Sequence, residues 1–291
     1  MLKQLDHASR TVIRGLLQPL RWLRFPVPET IYQHLYFRGP FTVKVDATKS
    51  FAMVARESAV ENSLYWRGVC GHESESMRVW LELASRARCV YDIGANTGEY
   101  ALVAKCVSRG GIVVAFEPVA TICDMLRTNV ALNQFDIRAV NAAVSLKPGK
   151  LPLFDPGGHD GLSYSASLEA DFLPGDKARV MVDVVSVDSF SNANGLQPDL
   201  VKIDVEGHEA GVVMGAEKTL RSARPVCIVE WLGTTEGHRD AVALLESLDY
   251  AIMDTSLNAV QQSAQKASYV ERNILLVPRE KLDWLWSMRK G

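Results

Sequence analysis

Three features of the sequence predict an α/β fold, a doubly wound and mostly parallel sheet of seven strands. The apolar run from Cys89 to Ile93 stops at Gly94 and Gly98, and helical periodicity follows at Ala101, Leu102, Ala104, Cys106 and Val107. Beyond that turn, apolar strands alternate with helical segments as far as Leu248, the pattern of parallel βαβ units. The last two strand-like runs have no clear helix between them, which predicts an antiparallel end strand.

Bulk composition narrows the class. The chain has 291 residues, 47% hydrophobic and 23% charged, enough for a sizeable core. A formal net charge of −2 gives no reason to expect nucleic acid as a partner. Five cysteines are scattered, mostly within apolar runs and without a C-x-x-C pair, so neither a disulfide framework nor a zinc site is expected. Free thiols fit a reducing cytosol, and the expected location is cytoplasmic. No apolar run is long enough to span a bilayer. Charges at Lys3, Asp6, His7, Arg10 and Arg14 interrupt any signal-peptide core.

Residues 1–85 read as an N-terminal unit of helical arm, hairpin and lead-in helix, and residues 86–291 as the main domain. Arg10, Arg14, Arg21 and Arg24 lie among Leu16, Leu17, Leu20, Trp22, Leu23 and Phe25. Such a basic amphipathic segment packs on the domain or on a second subunit, or lies against an anionic membrane surface through residues 10–25. Pro19, Pro26 and Pro28 should cut it short. Phe41 to Ala55 reads as a hairpin around Asp46–Ser50. Met77, Trp80, Leu81 and Ala84 mark a helix within 72–87, with Glu73 and Glu75 at its start to complement the macrodipole.

Past the glycine turn, strands are expected at Ile112–Phe116, Ile137–Val144, Leu200–Val205, Val226–Trp231, Tyr250–Met253 and Tyr269–Val277. Between the first five strands come helices marked by Ile122, Met125, Leu126 and Val130, and by Val212, Val213, Ala216 and Leu220 on one face. Ala241, Leu244, Leu245 and Leu248 mark another before the last pair. Residues 145–188 break the alternation. Prolines and glycines separate the pieces Leu151–Phe154, Leu162–Leu168 and Val180–Val187, so a small β insertion without a helix is expected between strands three and four.

Ligands of open α/β sheets bind beyond the carboxyl ends of the strands, where strand order reverses. The first turn should mark that place, with backbone N–H groups at the helix start facing the ligand. A dinucleotide needs G-x-G-x-x-G, but Asn96 stands at the middle glycine position. The spacing Asp92-x-Gly94-x-x-x-Gly98 suits S-adenosylmethionine better, which has no pyrophosphate and an ammonium for Asp92 to meet. The candidate cofactor residues are Asp92, Gly94, Ala95, Asn96, Thr97, Gly98, Tyr100, Glu117, Pro118, Ala142 and Asp204. Glu117 ends the second strand, where an acid accepts from ribose hydroxyls, and Ala142 leaves room for adenine.

A second dense block, Lys202-Ile203-Asp204-Val205-Glu206-Gly207-His208-Glu209, is also strand, turn and helix. Asp204, Glu206 and His208 are the catalytic candidates, since deprotonating an acceptor needs one base at such a strand end. The same three could hold a divalent metal, but their spacing fits no closed zinc pattern and no metal is expected. Glu230, Trp231 and, in the insertion, His159 are the candidate acceptor contacts.

Val90–Gly98, Phe116-Glu117-Pro118 and Asp199–Glu209 together resemble the FkbM family of methyltransferases; Val187–Phe190 and Glu230 also fit its pattern. The resemblance covers residues of about 65 to 278. It implies a Rossmann-like class I methyltransferase fold, S-adenosylmethionine as cofactor and S-adenosylhomocysteine as product. It also implies O-methylation of a small-molecule, sugar or glycan hydroxyl. A nicotinamide-type oxidoreductase and a non-catalytic cofactor-binding protein are the alternatives, because fold alone implies no activity.

Overall fold

The computed structural model describes residues 7–22, 25, 27–108, 110–155, 165–170, 177–232, 236–258 and 273–288. Its N-terminal part contains α1 (His7–Trp22), α2 (Glu29–Tyr32), β1 (Arg38–Lys44), β2 (Ser50–Arg56), α3 (Ala59–Arg67) and α4 (Ser74–Ala84). The alternating part opens with β3 (Cys89–Ile93), α5 (Glu99–Val107), β4 (Ile112–Phe116), α6 (Ala120–Leu132) and β5 (Ile137–Val140). The insertion supplies β6 (Ala143–Val144), β7 (Gly149–Asp155) and β8 (Ala178–Val185), followed by α7 (Val187–Asn194). The chain continues through β9 (Leu200–Ile203), α8 (Glu209–Met214), α9 (Glu217–Ser222), β10 (Val226–Glu230) and α10 (Glu236–Ser247). It ends with β11 (Tyr250–Asp254), β12 (Asn273–Pro278) and α11 (Leu282–Met288).

Seven strands form the central sheet in the order β11-β12-β10-β9-β3-β4-β5. All are parallel except β12, which runs antiparallel to both β10 and β11. The expected antiparallel strand is therefore the last in sequence, and it slots in second in the sheet. Alternation sends successive side chains to opposite layers. Val90, Val113, Leu200 and Ile228 pack with α4, α5 and the β1–β2 hairpin. Tyr91, Val114, Val201 and Val229 pack with α7 to α10.

The hairpin belongs to the same core as the sheet. Phe51 and Met53 share one buried cluster with Leu102 and Leu126. Asn129 on α6 and Asn133 at its C-terminal cap accept from the N–H groups of Val54 and Ala52. Sequence position 85 thus separates two stretches that share packing and hydrogen bonds.

Several expectations need correction. The third strand stops at Val140, because the Ala142 N–H turns back to the Val140 carbonyl at 3.0 Å, and Ala143–Val144 pairs with β8 instead. The insertion is a three-stranded sheet, but the connection does contain a helix. Ser186 ends the strand and caps α7 through a reciprocal Ser186–Ser189 capping box. The single helix expected after the fourth strand is two, α8 and α9. They break at Gly215, where a Cβ would lie 2.2 Å from the Ser145 carbonyl oxygen. Helix α1 continues through Pro19 to Trp22. Ile13 and Leu17 pack on the core, while Val12 and Leu16 face outward, 62% and 74% exposed. Helices α3 and α11 carried no sequence expectation. Residues 162–164 and 269–272 of the expected strands lie outside the described residues.

Candidate active site

Strand order reverses between β3 and β9, which lie side by side and lead outward in opposite directions. Asp92 is paired with Lys202 and Ile93 with Ile203. One residue further on, the Asp204 N–H donates to the Ile93 carbonyl at 2.9 Å. Val229 lies opposite Ile203, so Glu230 comes out beside Asp204, and Asn273 lies opposite Glu230. Register alone gathers Asp92, Lys202, Asp204, Glu230 and Asn273 at one rim.

The first turn approaches that rim too closely for any side chain. Gly94 has φ +78°, and a Cβ there would stand 1.7 Å from the Asp204 carbonyl oxygen. The turn's own N–H groups, from Gly94 to Gly98, are taken up within the protein. Those of Gly94 and Ala95 both donate to the Phe116 carbonyl, at 3.0 and 2.9 Å. Asn96 donates to Glu117 Oε2, Thr97 to the Asn96 side chain and Gly98 to the Ala95 carbonyl. What the turn offers instead is negative charge. Asp92 is 1% exposed and its Oδ2 has no hydrogen-bond partner, and burial pushes its carboxyl up to about 7. An orphaned buried oxygen fits a cationic group, such as an ammonium, at this point.

A cleft beside the turn is lined by Gly94, Asn96, Glu117, Pro118, Ala142, Asp204 and Glu206. Glu117 also accepts from the Val119 N–H at 2.8 Å, and burial raises its carboxyl to about 7. Its two oxygens clamp both turns and leave lone pairs for hydroxyl groups. Thr97 is buried, and its carbonyl takes a hydrogen bond from Asn129. Tyr100 is not among the residues lining the cleft; its hydroxyl donates to Glu73 Oε2 at 2.7 Å.

Of the second block, Asp204 lines the cleft and its N–H continues the β3–β9 pairing. Glu206, with φ +52°, lines the cleft and takes a hydrogen bond on its carbonyl from Ser167. His208 is held at both ring nitrogens, by Ser145 Oγ at 2.8 Å and Glu169 Oε1 at 2.6 Å. It thereby fastens β6 and the segment around Glu169 to the β9–α8 turn. Glu209 is buried and accepts from the Gly207 and Leu232 N–H groups, so it braces the turn.

Glu73, Asp204 and Glu230 bring one carboxylate oxygen each within 4.8 Å of the others. Lys202 Nζ donates to Asp204 Oδ2 at 3.2 Å and lies 5.0 Å from the centre of the Tyr100 ring. Asn273 donates to Glu73 Oε2 at 3.1 Å. Burial, Asp204 and a hydrogen bond to Asp204 push Glu230 up to about 8, with Lys202 opposing. Glu230 therefore holds its proton more tightly than an ordinary carboxyl group. Trp231 is 3% exposed with its ring edge-on to His238 in the core, and is not presented to a ligand. His159 lies outside the described residues.

Sequence inspection missed Lys202 and Glu73. Lys202 stands as a charge at an otherwise apolar strand position, but its role depends on the strand register that brings Asp92 and Asp204 to it. Glu73 gave no signal, since an acid before a helix reads as a dipole partner.

Comparison with known proteins gives a consistent picture. A model of the methyltransferase FkbM domain matches residues 92–252, more than half of the chain. The hexuronic acid methyltransferase AglP of Haloferax volcanii is 27% identical over 193 residues, 64% of this chain and 73% of that protein. Among solved structures, an FkbM methyltransferase from Methylobacillus flagellatus is 17% identical, with 65% of this chain and 43% of that chain covered and a TM-score of 0.39. An O-methyltransferase from Bacillus cereus in complex with SAH is 16% identical, with 70% and 79% covered and a TM-score of 0.39.

Proposed function

This chain belongs to the FkbM methyltransferase family, with S-adenosylmethionine as its cofactor, and on that premise we propose that it methylates a hydroxyl oxygen of a sugar, glycan or related metabolite. The observation that carries the proposal is the position of Asp204. It lines the cleft with Gly94, Asn96 and Glu117, and it also belongs to the carboxyl cluster with Glu73 and Glu230. One carboxylate therefore borders both the donor and the acceptor side.

Asp92 would meet the cofactor's ammonium, Glu117 its ribose, and Pro118 and Ala142 the flat base. When bound, the cofactor supplies a methyl group already activated on a sulfonium. Asp204 accepts the proton of the acceptor hydroxyl as that oxygen takes up the methyl group. Glu230, whose proton affinity is raised, and Glu73 orient the neighbouring hydroxyls through hydrogen bonds. Most of the acceleration is positional. The relative acting on hexuronic acid supports a sugar acceptor.

Calorimetry with S-adenosylhomocysteine and NAD, followed by an acceptor panel of neutral sugars and uronic acids, tests this directly. We expect binding of the first ligand alone and methyl transfer to a sugar hydroxyl. Binding of NAD without S-adenosylhomocysteine would reverse the assignment.

A further inference from the structure

Lys202 occupies a position that the strand pattern assigns to the core. Leu200, its neighbour on the same layer of β9, is apolar and buried, and Lys202 itself is 1% exposed. A buried ammonium is retained only where charge and hydrogen bonds compensate it. Every element packed around it contributes. Asp204 follows on its own strand, and Asp92 faces it from β3. Helix α5 brings Glu99 and the Tyr100 ring, the start of α4 brings Glu73 with His72, and β10 brings Glu230. Burial alone would make the ammonium more acidic; Asp204, Glu73 and Glu230 outweigh it and hold the charge.

We propose that Lys202 is the positioning residue of the acceptor site, its buried ammonium acting as a built-in counter-cation that fixes the Asp204 carboxylate and balances Glu73 where a divalent ion would otherwise be needed. The inference rests on the methyl-transfer reading above. Three carboxyl groups within 4.8 Å would ordinarily repel one another or gather a metal ion. An ammonium 3.2 Å from Asp204 Oδ2 supplies the positive charge and opposes entry of a metal cation. Lysine suits the role, because its compact charge sits at the end of an apolar stem that packs in the strand layer.

The test uses the full chain without ligand. In the wild type, the Glu230 side-chain carbon, followed by NMR, should titrate near 8. In Lys202→Met, which keeps length and apolar stem, it should move upward by about one pH unit or more, because the opposing charge is gone. Circular dichroism and a cooperative thermal transition like the wild type's show that the variant folds. Mn2+ added to the wild type should give no saturable binding below millimolar concentrations, and chelators should leave activity unchanged. An unmoved Glu230 titration in a folded Lys202→Met protein would overturn the proposal. So would tight Mn2+ binding lost in Asp204→Asn, a result that needs no Lys202 variant. Failure of the wild type to bind S-adenosylhomocysteine would instead sink the methyl-transfer reading, leaving the ligand-free titration to decide Lys202.

Discussion

Replacing Asp204 by Asn removes the carboxylate that borders both sides of the site while keeping its size. Methyl transfer should fall by about 100-fold or more, the usual contribution of a positioned base, with S-adenosylhomocysteine affinity nearly unchanged. Retained turnover in steady-state assays would remove Asp204 from that role. Asp92 gives a second expectation. Burial raises its carboxyl to about 7, so it becomes charged only as pH rises through that value. Affinity for a ligand bearing an ammonium should strengthen from pH 6 to pH 8, and calorimetry at the two values would show it. Gly94→Ala should cost about 3 kcal/mol or more, because its Cβ would press on the Asp204 carbonyl and its φ is positive. Chemical denaturation measures this. Asp92, Gly94, Glu117 and Asp204 were legible in the sequence because each ends a strand or makes a turn. Lys202 and Glu73 were not, since their meaning depends on strand register and on a contact made across distant parts of the chain.

The insertion is held at the element scale by Ser145, His208 and Glu169. Ser145 is 5% exposed, so this hydrogen-bonded chain is a fastening and offers no open nucleophile. His208→Ala should speed amide exchange in β6, β7 and β8 and leave β3 and β9 protected; uniform exchange across both groups would contradict the fastening. Helix α7 depends on its cap in the same local way. Ser186→Ala should cost about 1 kcal/mol in urea unfolding. Helices α5, α6 and α10 could be read from their apolar spacing. Helix α7 hid behind the strand-like run before it, and α3 has too little amphipathic contrast to stand out, with Glu61 and Asn62 buried alongside Leu64 and Tyr65. The break at Gly215 is invisible without knowing that β6 passes beneath it.

Across the whole molecule, the buried titratable groups act in one direction above neutrality. Folding raises Asp92, Glu117 and Glu209 to about 7 and Glu230 to about 8, so the native state binds more protons than the unfolded chain and stability falls as pH rises through that window. His72, raised to about 9 by Glu99, adds stability that is lost as pH climbs through 9. His238, lowered to about 4 by burial, acts only below 6.5. The melting temperature of the ligand-free chain should therefore decline from pH 6.5 to 9, and Glu230→Gln should flatten the slope. The mostly parallel sheet and its two covered faces followed from the alternation of strands and helices in the sequence. The joining of residues 1–85 to the main core did not, because Asn129 and Asn133 reveal nothing of their partners until the fold is known. Among the described residues no helix is long and apolar enough to cross a membrane. The most direct measurement is transfer of an isotope-labelled methyl group from S-adenosylmethionine to a sugar panel, with wild type and Asp204→Asn side by side. Label on a hydroxyl oxygen with the wild type, and loss of it in a variant that still binds S-adenosylhomocysteine, is the expected result. Label on a carboxylate or nitrogen, or equal transfer by both proteins, would contradict it.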